Sequence, residues 1–215
     1  MMAKRESNFI NMLVTLFAVT FIASASLGLV NELTRDAIKN ANARAQEKAI
    51  ASVLPNFDKL GKSVMVLPKD GPDSLELFPA YDAQGNEVGT AVKTYTNKGF
   101  SGHFTVMVGF KPDGTISGYE VLQHQETPGL GSKMGQWFRN KDKPKQDIIG
   151  KNPGKVNFHV SKDGGDIDAI TAATISSRAF LDAVRRAYNT WKNESDGTSG
   201  PTTTKNKAQT KGGNS

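Results

Sequence analysis

Few side chains in this 215-residue chain are suited to chemistry of their own. It has no cysteine, which removes thiolate zinc sites, iron–sulfur ligation, disulfide scaffolds and a cysteine nucleophile. The three histidines, His103, His124 and His159, stand 21 and 35 residues apart with no metal-ligand neighbour at helical spacing. They read as polar strand or surface residues, and no metal site is expected. Nor is there a G-x-S-x-G elbow to support a serine hydrolase. No catalytic side chain is assigned, so redox chemistry here must ride on a borrowed cofactor.

Two segments remain. Glu126-Thr127-Pro128-Gly129-Leu130-Gly131-Ser132-Lys133 follows a strand-like run. Glycines 129, 131 and 135 imitate a loose dinucleotide fingerprint, but the neighbouring hairpin pattern leaves no βαβ unit to carry one. One reading is a simple tight loop. The other is that Gly129 and Gly131 let backbone approach a flat ligand while Glu126 and Thr127 offer polar contacts. The second segment, Asp168 to Ser177, runs straight into a helical pattern. Thr174, Ser176 and Ser177 are candidate N-caps, which by itself explains a hydroxyl cluster. Alternatively, small Ala172 and Ala173 leave Thr174 accessible, and a phosphate there would lie at a helix N-terminus with Arg178 as a counter-charge.

Strands and helices must position these segments. Val88–Thr96, His103–Phe110 and Thr115–Gln123 are rich in Val, Thr, Tyr, Phe and Ile, and Lys111-Pro112-Asp113-Gly114 joins the last two as an antiparallel hairpin. Gly61 to Pro79 is punctuated by prolines and holds short strands or loops. Gln136 to Phe138 predicts a short helix, Val156 to Val160 another strand, and Lys162-Asp163-Gly164-Gly165 a turn. Phe180, Ala183, Val184, Ala187 and Trp191 line one face of a final helix. Strands in the middle with helices at both ends predict an α+β class with an antiparallel sheet flanked by helices.

The N-terminus is of another kind. Phe9 to Val30 is 22 residues without a charge, about 33 Å as a helix and enough to cross a bilayer. Lys4 and Arg5 precede it, which places residues 1–8 in the cytoplasm and the rest outside. Ala23-Ser24-Ala25 also fits a signal-peptidase site, but the apolar run continues past it through Leu27, Leu29 and Val30, favouring a retained anchor. Three- and four-residue spacing from Ala37 to Leu54, ended by Pro55, predicts a juxtamembrane helix over 31–55. A single domain over 56–191 and a disordered polar tail over 192–215 complete the chain. Of the net charge of +6, residues 1–8 carry +1 and residues 192–215 carry +2. The dispersed remainder is no footprint for a phosphate backbone, so nucleic acid is not an expected partner.

Thr171-Ala172-Ala173-Thr174 followed by Ile175-Ser176-Ser177 resembles the flavinylation motif of the covalent FMN-binding domain family found in Rnf and sodium-translocating NADH:quinone reductase complexes, and Glu126 to Gly131 resembles the E-T-P-G-L-G segment of the same family. The likeness spans roughly residues 9–191, and the length is nearer that of the family's Rnf branch, the G subunits, than that of its usually longer quinone-reductase branch. One departure is Ala172, where the family commonly has glycine. The resemblance implies an electron carrier in a ferredoxin:NAD oxidoreductase coupled to ion translocation. It implies FMN bound through a phosphoester to Thr174, with Thr171, Glu126, Thr127, Leu130 and Gly131 as further cofactor contacts. Its implied partners are the other Rnf subunits, membrane lipid around the N-terminal helix, and a flavin transferase that uses FAD and a divalent metal. The implied location is the bacterial cytoplasmic (inner) membrane, with one span and a periplasmic domain. The competing expectation is a flavin-free, membrane-anchored extracytoplasmic binding module in which Thr174 only caps a helix.

Overall fold

The uncharged run and the juxtamembrane pattern join into one helix, α1 (Phe9–Val53). The computed structural model describes residues 9–195; the N-terminal segment 1–8 and the polar segment 196–215, on which most of the expected disordered tail falls, lie outside the described residues. The chain divides into two units, Met1–Gln46 and Glu47–Ser215. In the first, the best 18-residue window of α1 has a mean hydropathy of 2.2 and none of it is buried, so the helix is long and apolar enough to cross a membrane.

The second unit is built on an antiparallel sheet of β1 (Lys59–Leu60), β2 (Val64–Val66), β3 (Leu75–Tyr81), β4 (Glu87–Gly99), β5 (Gly102–Phe110) and β6 (Ile116–His124). Its order is β1-β3-β4-β5-β6, with β2 also pairing β3. The Lys111–Gly114 turn joins β5 to β6 as the sequence predicts, closed by Lys111 N–H to the Thr115 carbonyl at 2.9 Å. The period of two places alternate residues of β4 and β5 on opposite faces. Val92, Val106 and Val108 face α3 (Thr174–Ser195), whose Phe180, Leu181, Val184 and Ala187 are buried on them. Ala91 and Met107 face the other way and are covered by Ala49, Ile50 and Val53 from the last turns of α1. That contact is close because Gly109 has no side chain: a Cβ there would collide with the Val53 carbonyl. Ser117 Oγ donates to the same carbonyl at 2.5 Å.

One expectation needs correcting. Val156–Val160 is not a strand; only Val160 makes an isolated parallel bridge, to Ile167. Its alternation is real, since Phe158 and Val160 are buried, but Asn157 ties its N–H to the Asp166 carboxylate and its carbonyl to the Asp166 N–H instead of to a ladder. The proline-rich stretch up to Pro79, expected to hold short strands or loops, contributes the strands β2 and β3. Pro79 is tolerated inside β3 because its carbonyl still accepts from Gly61 N–H at 2.7 Å, and only a donor is lost.

Between β6 and α3 lie a short helix, α2 (Met134–Trp137), and two 3-10 turns, Gly131–Lys133 and Ser161–Asp163. Tyr119 of β6 donates its hydroxyl to the Met134 carbonyl at 2.8 Å and pins α2 to the sheet. Burial of that phenol pushes its pKa up to about 12.

Candidate functional site

Three chain segments meet beside the start of α3. The Gly99–Gly102 turn joins β4 to β5 and presents Phe100, 67% exposed. The Glu126–Gly131 loop leaves β6 and enters the first 3-10 turn. The Asp168–Ala173 loop feeds α3 and is held from several sides. Trp137 Nε1 donates to the Asp168 carbonyl at 3.0 Å, and Ser161 Oγ donates to the Asp168 carboxylate at 2.7 Å. Ser177 Oγ accepts from Ile170 N–H and donates to the Ala173 carbonyl, both at 2.9 Å. Of the three candidate caps it is therefore Ser177 that organises the helix start.

Thr174 is left with a different environment. Among the described residues its hydroxyl has one hydrogen-bond partner, Lys162 Nζ at 3.3 Å. The expected counter-charge, Arg178, is committed elsewhere: Nε and Nη2 grip the Asp163 carboxylate, each at 2.7 Å. That guanidinium holds the Asp163 carboxyl below the usual carboxylate range. Lys162, not Arg178, is the cation at Thr174, and nothing in local sequence periodicity signals it.

A cavity of about 300 Å³ opens between the three segments, its walls including Glu126, Thr127, Leu130, Gly131 and Thr174. Thr171 is exposed and outside that wall, on the same loop. Phe100, Ile175 and Ser176 line the cavity too and were not singled out as ligand contacts from sequence, although an aromatic residue at the tip of a glycine-flanked hairpin was a visible signal. Glu126 is only 4% exposed, so its side chain is turned into the protein and not into solvent. Its carboxylate accepts from Ser176 Oγ at 2.7 Å and from Ser101 N–H at 3.2 Å, linking the glycine loop to α3 and to the β4–β5 turn. Gly131 fits against this pair only because it lacks a Cβ, which would overlap both the carboxylate and the Ser176 hydroxyl. Backbone torsion sets Ala172 apart as well. Ala172 has φ +61°, the left-handed region that glycine enters without strain.

Apolar walls from Phe100, Leu130, Ile175 and the two alanines, with polar groups at one side, suit a flat, largely apolar ligand. A hydroxyl beside an ammonium at the rim suits a phosphoryl group. A larger cavity of about 420 Å³ lies beyond Ile175, but its cations Lys98, Arg178 and Arg185 are ion-paired to Asp163 or Asp182. Among the described residues no group of three or more His, Cys, Asp or Glu is placed to hold a metal.

Residues 99–189, which contain every part of the smaller cavity, match the family model of the FMN-binding domain. The chain is 33% identical over 200 residues to the G subunit of the ion-translocating oxidoreductase complex of Aliivibrio fischeri, covering 86% of this chain and 91% of that protein. It is 33% identical over 171 residues to the protein of the same name in Shewanella amazonensis, covering 77% and 80%. With that of Methanosarcina acetivorans it shares 31% over 187 residues, covering 82% and 91%. Among solved structures, NqrC of Shewanella oneidensis is similar at 24% identity with a TM-score of 0.40, over 60% of this chain and 63% of that one, less than two thirds of its length.

Proposed function

This chain belongs to the family of G subunits of ion-translocating oxidoreductase complexes, and we propose that it is a membrane-anchored electron carrier of such a complex, with FMN joined to Thr174 through a phosphoester. The observation that carries the attachment is the Thr174 hydroxyl: it stands at a cavity of about 300 Å³, caps nothing, and is paired only with an ammonium among the described residues. The flavin, when bound, supplies the capacity to take up and release electrons. The protein's own residues bind and orient it. Phe100, Leu130 and Ile175 give the apolar walls, Glu126 and Thr127 the polar side, and Thr171 lies on the loop that delivers the attachment residue. A tether also keeps the cofactor at high effective concentration where a dissociated one would be diluted.

The long apolar helix and its Lys4 and Arg5 flank support a single span with the domain on the extracytoplasmic side of the bacterial cytoplasmic membrane. The partners in this reading are the other subunits of an Rnf-type complex, the lipid around α1, and a flavin transferase that installs the FMN from FAD. Ferredoxin and NAD would be the terminal couples of that complex.

The test is fluorescence of the full-length chain in a denaturing gel after co-expression with a flavin transferase. Wild type should fluoresce, and Thr174→Ala should be dark while remaining folded, since Thr174 Oγ1 makes no other hydrogen bond among the described residues. Flavin mapped by peptide mass to Thr171, Ser176 or Ser177 would defeat the assignment.

A further inference from the structure

Lys162 sits on the 3-10 turn Ser161–Asp163, and that turn is tied down on both sides of it. Ser161 N–H donates to the Ile167 carbonyl at 2.7 Å and Ser161 Oγ to Asp168 at 2.7 Å. Asp163 is gripped by both arms of the Arg178 guanidinium, which comes from the first turns of α3. Two attachments thus bracket Lys162, one to the loop before Thr174 and one to the helix after it. The side chain itself is exposed, and among the described residues its ammonium has no carboxylate partner. Among the described residues its one hydrogen bond is to Thr174 Oγ1, at 3.3 Å. An exposed lysine with no assigned function would be solvated; this one is held over the residue to be modified, beside an arginine whose charge is already neutralised.

We propose that Lys162 is the positioning residue for phosphoryl transfer to Thr174, an inference that rests on Thr174 being the attachment residue. In the transfer, Thr174 Oγ attacks the flavin-side phosphorus of FAD. The Oγ–P bond forms, the P–O bond of the pyrophosphate breaks, and AMP leaves with the bridging oxygen. The hydroxyl proton goes to a base of the transferase, because a lysine ammonium has donors and no lone pair to accept it. Lys162 orients the hydroxyl by donating to it and offsets the negative charge of the incoming phosphoryl oxygens, a charge-assisted interaction stronger than a neutral hydrogen bond. In the product the same ammonium faces the single negative charge of the phosphodiester.

Full-length chain in detergent is incubated with purified flavin transferase, FAD and Mg²⁺, and the rate of covalent flavin addition is read by intact mass. Lys162→Met should lower kcat for addition by about tenfold or more, as loss of a charged hydrogen bond implies, with KM for the acceptor chain unchanged. Lys162→Arg should recover most of the rate. Lys141→Met, at another exposed lysine outside the site, should match wild type, and thermal midpoints should coincide. Wild-type rates in Lys162→Met, an arginine variant as slow as the methionine one, or an effect confined to KM would each overturn the positioning role. No flavin on wild type at all would overturn the Thr174 assignment instead, an outcome distinct from the other three.

Discussion

Ala172 is the single non-glycine residue with positive φ among the described residues, at +61°. A side chain in that region crowds the following carbonyl at a cost of about 1–2 kcal/mol, offset in part by the greater chain entropy that glycine would lose on folding. Ala172→Gly should therefore raise stability by up to about 1 kcal/mol, read as a higher denaturation midpoint with unchanged slope; a lower midpoint would mean the loop depends on the methyl packing. Glu126 allows a second test. Its carboxylate oxygens accept from Ser101 N–H and Ser176 Oγ, and it forms part of the cavity wall. A negative charge beside a group that takes up electrons opposes reduction, so in the carrier proposed above Glu126→Gln should leave flavin attachment intact and move the flavin midpoint potential to more positive values. Superimposable titrations at equal flavin loading would confine Glu126 to holding Ser176 and Ser101. The Glu126 loop and Thr174 were legible in the sequence because each lies in a contiguous pattern of small and polar residues. Ser176 as the partner of Glu126, 50 residues away, and Lys162 as the partner of Thr174, 12 residues away, were not. Those pairings are made by the fold, and no local spacing encodes them.

At the level of elements, the strands that could be read directly were those with ordinary turn chemistry. Lys111 to Gly114 fixes the β5–β6 hairpin, and the stretches of β4 and β5 rich in Val, Thr and aromatic residues mark the sheet centre. β3 was obscured because Pro79 argues against a strand, yet it lies between β4 and the short β1 and β2, losing one donor and keeping its acceptor. The run 156–160 misled in the opposite direction. Alternating burial requires only one packed face, whereas a strand also requires a neighbour, and Asn157 and Asp166 had already taken the backbone groups. The tightest fit between elements is the end of α1 on the β5–β6 hairpin. Gly109 leaves no space for a Cβ beneath the Val53 carbonyl, and Gly118 leaves none beneath the Val53 Cα. Gly109→Ala should cost about 1–3 kcal/mol through forced backbone shifts, measured by denaturant unfolding of the full chain. Loss of that amount with covalent flavin incorporation intact is the expected pattern, since the collision is on the sheet face opposite α3. An unchanged midpoint would mean that α1 does not bear on the sheet there.

For the molecule as a whole, the same packing decides where the anchor ends and the domain begins. Helical periodicity runs without a break from the apolar segment to Val53, so the sequence offers Pro55 as the natural division. The hydrophobic cores give another answer. Ala37, Ile38, Ala41 and Ala45 are exposed, whereas Ala49, Ile50, Val53 and Leu54 are buried with Phe78, Ala80, Ala91 and Met107. One continuous helix therefore has two parts of different character: Phe9 to Val30 is uncharged and exposed, and its last turns form part of a protein core. A chain beginning at Glu47 retains that core, while one beginning at Asn56 uncovers the sheet face. The large aliphatic side chains lost in the shorter form are each worth about 1.5–3 kcal/mol when buried, and three of them approach the 5–15 kcal/mol that holds a typical domain together. Residues 47–215 should accordingly be a soluble, cooperatively unfolding flavin acceptor, and residues 56–215 should aggregate or bind hydrophobic dyes. Two truncated proteins with equal solubility and equal denaturation midpoints would show that the α1 stem contributes nothing to the domain, and would move the boundary back to the proline.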